Sequence, residues 1–178
     1  SESEEGLPYA SHSFRIRGVV TFSDRVLNRT LLFMQDDSGG ALVRVLPELF
    51  QFKPLEAGQY VEAEGAIKLT RGAPPFGVQS ATVLGLGQMP APAPYPDRSL
   101  SADTEGQWVQ AEGIVRTINE DGTLLLMEKD GAVKVWLKGA ATGSLERYVD
   151  ALVQVRGVYS RHIQPDPMML VPSLDYVQ

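Results

Sequence analysis

The sequence predicts an all-β protein made of two consecutive five-stranded units. The first supporting observation is an internal repeat, in which three separated blocks of the first half return in the second half at an offset of 92 to 95 residues. The matched blocks are 14–20 with 109–115, 31–37 with 124–130, and 60–67 with 152–159. The second observation is local: short apolar runs alternate with Gly, Asp and Asn residues, which is typical of strands joined by turns. A repeat that nearly keeps its offset indicates a duplicated domain.

The composition fits two small domains and excludes several kinds of site. The 178 residues suffice for two units of roughly 80–90 residues each. The net charge is −6, from 22 acidic and 16 basic side chains, which weakens the case for a nucleic-acid partner but leaves room for a local basic groove. The chain has no cysteine, so disulfides, thiolate zinc sites and cysteine nucleophiles are excluded. No secretory signal begins the chain, and no apolar run reaches the about 18 residues of a membrane span.

Five strands are predicted in the first unit, residues 12–87. They are expected near 14–20, 30–35, 41–46, 60–67 and 78–84. Asp and Gly residues at 36–40 predict the turn between strands two and three. The segments 22–29 and 68–76 are predicted to be the loops that precede strand two and strand five.

A proline-rich segment, 88–100, separates this unit from the second unit, 101–178. Its alternating prolines favour an extended, semi-rigid spacer. The second unit repeats the same arrangement, with strands near 108–117, 123–128, 132–138, 151–159 and 168–171.

Five short strands in each unit, with a glycine inside strand one, predict the five-stranded Greek-key barrel of the OB-fold. Strand one must bend to pair with both halves of such a barrel, and Gly18 and Gly113 relieve the crowding at that bend because they lack a Cβ atom. Gly65 and Gly157 are expected to play the matching part in strand four. An SH3-like barrel is the nearest alternative, but the return strand after the long loop favours the OB-fold.

Several segments carry a resemblance to a known family. They are 15–22, 32–40 and 58–65 in the first unit and 106–115 and 170–175 in the second. These segments resemble the tandem OB-fold modules of bacterial extracytoplasmic sensor regions, which belong to large membrane histidine kinases and related multi-domain proteins. The resemblance covers nearly all of residues 12–178, and the family has no catalytic signature to transfer. The second unit departs from the first at its turn between strands two and three, which has Lys129, Asp130 and Gly131.

No constellation of residues predicts catalysis, so we expect the chain not to be an enzyme and to need no cofactor. Asp36 and Asp37 could ligate calcium, but their place in a predicted turn favours capping of the turn backbone. The two histidines, His12 and His162, lie in different units. No metal site is therefore predicted.

A ligand site is predicted at the loops of the first unit, because OB-folds bind ligands beside strands two and three. Cations and aromatic rings converge there, as single-strand binding requires, although Phe22 and Phe76 could instead cap the barrel. The second unit has a short acidic loop, and its Trp136 is either an aromatic platform or a plug. The predicted ligand-binding residues are Phe22, Arg25, Arg29, Arg71 and Phe76, with Lys68 nearby.

The resemblance implies a non-catalytic recognition or spacer segment of an extracytoplasmic sensory protein, with a small molecule, an oligosaccharide or a protein as partner. One alternative is an OB-fold protein that binds single-stranded nucleic acid or oligosaccharide; its binding to nucleic acid would weaken steeply with salt. The other is an architectural element with smooth loops and tight contact between the modules.

Overall fold

The computed structural model describes the backbone of residues 12–45, 54–67, 76–96, 104–161 and 163–178, and their side chains except at positions 40–45, 67, 76 and 142. Eleven β-strands, one short helix and two 3₁₀ turns form within these ranges. The all-β prediction is confirmed. Residues 68–75 of the loop predicted before strand five lie outside the described residues.

The first five strands form a closed barrel. In order of pairing they run β1-β2-β3-β5-β4, and β4 returns to β1. β3 and β5 are parallel, whereas the other neighbours are antiparallel. A closed five-stranded barrel with this connectivity is consistent with the OB-fold. The strands are β1 (His12–Val26), β2 (Arg29–Asp36), β3 (Gly39–Val45), β4 (Gln59–Ile67) and β5 (Phe76–Leu86).

The second half forms a six-stranded sheet in the order β10-β11-β9-β8-β7-β6, in which β10 also pairs with β7. β9 and β11 are parallel, as β3 and β5 are. The helix α1 spans Thr142–Leu145, and 3₁₀ turns span Glu146–Tyr148 and Leu174–Tyr176. The strands are β6 (Ala93–Pro94), β7 (Trp108–Ile118), β8 (Thr123–Glu128), β9 (Gly131–Leu137), β10 (Leu152–Ser160) and β11 (Met168–Val171).

Each half has its own apolar core. In the barrel, side chains from β1, β2, β4 and β5 meet inside, with Leu55 beside them. The core of the second sheet is larger and includes Leu145 of α1 and Val177 near the last residue. The barrel core consists of Val20, Leu32, Met34, Leu55, Val61, Ala63 and Val78.

Gly65 and Gly113 are two of the strand glycines at which a side chain would strike the neighbouring backbone. A Cβ atom on Gly65 would lie 1.9 Å from the carbonyl oxygen of Gly77, and one on Gly113 would lie 2.4 Å from that of Met127. Both distances are far below van der Waals contact. The strands therefore approach each other closely enough at the bends to require glycine.

A third apolar cluster joins the two halves, and we call it the shared cluster. It exists because β2 is apolar on both faces: Leu32 points into the barrel, whereas Leu31 and Phe33 point toward the second sheet. Its members are Phe22, Val26, Leu31 and Phe33 of the first hairpin with Trp108, Val158, Ile163, Met168 and Leu170 of the second half.

Polar contacts also join the two halves. The backbone N–H of Trp108 donates to Oε1 of Gln35 at 2.9 Å, and Lys138 Nζ lies 3.8 Å from Glu56 Oε2. The described part of the predicted spacer, residues 88–96, also packs against the rest of the structure. Met89 packs on the shared cluster, and the Tyr95 ring meets that of Tyr159 edge to face at 5.4 Å. The two halves therefore contact each other directly.

Candidate binding surface at the first hairpin

The predicted loop 22–29 is a β-hairpin. β1 continues to Val26, which pairs with Arg29, so the turn consists of Leu27 and Asn28 alone. Their φ angles are +47° and +62°. Positive φ at both central residues is the signature of a type I′ turn, whose twist matches that of the flanking strands. The prediction of a loop was wrong, because this segment continues β1 and β2 up to the turn although it contains several polar residues.

The hairpin places Phe22 in the interior. Its side chain is 0% exposed, and its ring meets the Phe33 ring edge to face at 6.5 Å. Side chains alternate along a strand, and the face that carries Phe22 and Val26 is the one that the second sheet covers. The placement of Phe22 at a ligand surface is therefore corrected: its ring belongs to the shared cluster.

Arg25 and Arg29 are exposed on the two strands beside the turn. Arg25 pairs with Thr30 and Arg29 with Val26, so their side chains leave opposite faces of the ribbon near its tip. Asp24 lies beside them, and its Oδ1 accepts the backbone N–H of Arg25 at 2.8 Å. These three side chains give the tip a formal charge of +1.

The remaining predicted ligand residues cannot be placed beside this pair. Arg71 and Lys68 lie outside the described residues, and Phe76 is described only by its backbone at the start of β5. The structure thus brings together Arg25 and Arg29 of the predicted set, and their role in binding stays a prediction.

Leu27, at the tip of the hairpin, was not predicted as a site residue. Its side chain is 48% exposed, and its backbone lies in the left-handed region. The available signal was Asn28, a residue that tolerates positive φ and marks tight turns. Without glycine beside it, that signal was too weak to place a two-residue turn.

The corresponding turn of the second half, 119–122, is acidic. Asp121 Oδ1 accepts the backbone N–H of Thr123 at 3.0 Å and its hydroxyl at 2.6 Å. These hydrogen bonds, the side-chain one foremost, lower the pKa of Asp121. Gly122 supplies the positive φ, at +82°. This turn is built from residues suited to its backbone.

Trp136 is partly buried against the shared cluster. Its Nε1–H is buried without a hydrogen-bond partner. Lys134, two residues earlier on β9, donates to Gln164 Oε1 at 3.4 Å. This strand therefore offers little open aromatic surface.

In the acidic turn between β2 and β3, the side chain of Asp36 caps the turn backbone. Asp36 Oδ1 accepts the backbone N–H of Ser38 at 2.7 Å and its hydroxyl at 2.5 Å, and these bonds lower the pKa of Asp36. Over the part of the chain that is described, no three His, Asp or Glu side chains come together as a metal would need. His162 lies outside that part.

No protein-family model matches this chain, and no curated protein does. The solved structures that show some similarity include the following three. A murine DNA-binding protein bound to double-stranded DNA is 13% identical, with 93% of this chain and 96% of that chain covered and a TM-score of 0.38. The Ifi202 HINa domain in complex with 20-bp double-stranded DNA is 11% identical, with 90% and 93% covered and a TM-score of 0.35. The third, described as the molecular basis for abrogation of activation of pro-inflammatory cytokines, is 10% identical, with 98% and 97% covered and a TM-score of 0.34.

These findings correct the expectation of a recognition or spacer segment in an extracytoplasmic sensory protein. Two of the similar structures are described as DNA complexes, and no match connects the chain to a sensor region. TM-scores this low carry no argument for the function of this chain, so a functional proposal must stand on its own residues. The extracytoplasmic location stays a prediction. Within the described ranges no helix has the length and apolar character needed to span a bilayer.

Proposed function

We propose that the chain is a non-catalytic protein of two OB-fold barrels that binds the sugar-phosphate backbone of nucleic acid through its first hairpin. The observation that carries this proposal is the exposure of Arg25 and Arg29 on the two strands that flank a two-residue turn. A tight turn holds both cations at a defined position, which reduces the entropy lost when they meet phosphates.

Strand pairing supports two barrels. In the second half, the ring of pairings β7-β8-β9-β11-β10 returns to β7, which is the connectivity of β1-β2-β3-β5-β4. The parallel pair falls at the same place in both rings. OB-folds bind oligonucleotides and oligosaccharides, so the architecture suits the proposed ligand.

Burial of the aromatic rings favours the backbone over the bases as the target. Binding to single strands depends on exposed rings that stack on bases, yet Phe22, Phe33 and Trp108 are buried between the halves. The cations at the hairpin tip are exposed. Contacts to phosphate, which need no ring, are therefore what this surface provides.

The proposal is tested by the double variant Arg25→Ala/Arg29→Ala in a fluorescence-anisotropy titration of labelled duplex DNA. Two phosphate contacts predict a slope of about −1.8 in log K against log salt between about 50 and 200 mM. We expect the double variant to lose most of its affinity and of that slope. The matched control is Arg116→Ala, which removes another exposed arginine, one paired with Asp150 at 3.2 Å. Unchanged affinity in the double variant, or no binding by the native protein at about 50 mM salt, contradicts the proposal.

A second candidate function, a rigid architectural element, is favoured by the shared cluster and the Lys138–Glu56 contact. An architectural element has no ligand to stabilise it. The melting temperature of the native protein would then stay constant on addition of DNA, RNA or oligosaccharide.

A further inference from the structure

Leu27 carries two unfavourable features at once. A leucine backbone at φ +47° places Cβ close to the following carbonyl, which disfavours this region for every residue with a side chain. Its side chain also leaves about half of its surface, 48%, in contact with solvent. Strained residues of this kind cluster at functional sites.

The fold does not require leucine at this position. The turn at 119–122 meets the same need for positive φ with Gly122, and type I′ turns generally use Asn or Gly. Leu27 does not belong to the shared cluster beside it. Neither the turn nor the core therefore explains the residue.

We propose that Leu27 inserts into the minor groove of duplex DNA while Arg25 and Arg29 contact the phosphates on either side. This inference rests on the proposed function. Proteins that bind the minor groove insert apolar side chains such as leucine between base steps, and they use Arg and Asn for the polar contacts around them. The hairpin tip has all three residue types in five consecutive positions, 25–29.

The positive charge beside Leu27 favours nucleic acid as the partner of the hairpin tip. An apolar wedge aimed at a protein groove needs no flanking cations, whereas here an arginine lies on each strand beside it. Asp24, the nearby carboxylate, is directed to the backbone N–H of Arg25. With this carboxylate and the two arginines, the tip keeps a formal charge of +1.

The test is Leu27→Asn, which removes the apolar side chain and suits a left-handed backbone. We expect about fivefold weaker binding to duplex DNA, as loss of a half-buried leucine contact implies. We also expect loss of the bend that the native protein induces, measured by energy transfer between labelled DNA ends. Leu27→Met keeps an apolar wedge and should retain the bend. Leu84→Asn removes a leucine of equal exposure, 47%, on β5 and should change neither quantity.

The outcomes separate this inference from the proposed function. If Arg25→Ala/Arg29→Ala weakens binding but Leu27→Asn keeps native affinity and bending, insertion is refuted and the binding function stands. If the native protein binds no duplex at low salt, both are refuted. If Leu27→Asn instead abolishes capture of a protein partner while DNA binding is unchanged, the turn serves a protein groove and insertion is again refuted.

Discussion

The two hairpins that begin the repeated halves have the same place in the connectivity but different outer faces. In the first hairpin β1 has 15 residues and β2 has 8, whereas in the second β7 has 11 and β8 has 6. Counted from the bulge that interrupts both, Phe22 opposite Phe33 corresponds to Thr117 opposite Leu125. The phenylalanines are buried, while Thr117 is exposed.

The difference between the two hairpins lies on their outward faces. The inward residues Val20 and Val115 are both fully buried in their own cores, where a change in side-chain volume would destabilise either half. The outward residues differ. In the first hairpin they form an apolar surface that packs against the second half, and the strands of that hairpin are longer.

The largest expected effect on the free energy of unfolding comes from the outward residues Phe33 and Leu125. Phe33→Ala should lower the free energy of unfolding by about 3–5 kcal/mol, because it removes a fully buried ring. Leu125→Ala, its counterpart on a partly exposed face, should cost clearly less. Chemical denaturation monitored by tryptophan fluorescence measures both. Equal losses would mean that the two outward faces do not differ as described.

A smaller effect is expected from exchanging the turn chemistry. Leu27→Gly should raise the free energy of unfolding by about 0.5–1 kcal/mol, since it relieves a left-handed leucine at some cost in backbone entropy. Gly122→Ala should lower it by about 1 kcal/mol, because alanine is strained at positive φ. A stabilising Gly122→Ala or a destabilising Leu27→Gly would contradict the contrast between a strained and a relaxed turn.

The smallest effect is a dependence on pH at the second turn. Its hydrogen bonds to Thr123 lower the pKa of Asp121 in the folded state, so the carboxylate stabilises the fold above the unfolded pKa of about 3.9. That contribution is lost as pH falls through the lower, folded-state pKa. Asp121→Asn should therefore flatten the acid limb of a plot of melting temperature against pH. Asp36, whose pKa is lowered by Ser38, contributes in the same direction, so some slope should remain. An acid limb identical to that of the native protein would exclude this role for Asp121.

Much of the barrel could be predicted, because strand glycines and turn residues report on local backbone geometry. The repeat was visible, but its middle block was aligned one residue off. The structure matches Leu32 with Leu124, both inward, whereas sequence similarity had matched Leu31 with Leu124. A slip of one residue exchanges the two faces of a strand. The prediction therefore could not show that Leu31 and Phe33 face outward.

The candidate site was also predicted only in part. Arg25 and Arg29 were identified from their charge, which can be recognised without knowing how the strands pair. Phe22 was misplaced because the residues that bury it, among them Met168 and Leu170, come about 150 positions later in the chain. No local pattern reports a contact at that separation.

The shared cluster also has a consequence for synthesis on the ribosome. The first hairpin is synthesised before the second half. Its apolar outward face can be fully buried only after β11 has been translated. Until then the nascent chain carries an unfinished surface that is prone to association with other molecules. The apolar face of the first half therefore stays exposed until the second half has been synthesised.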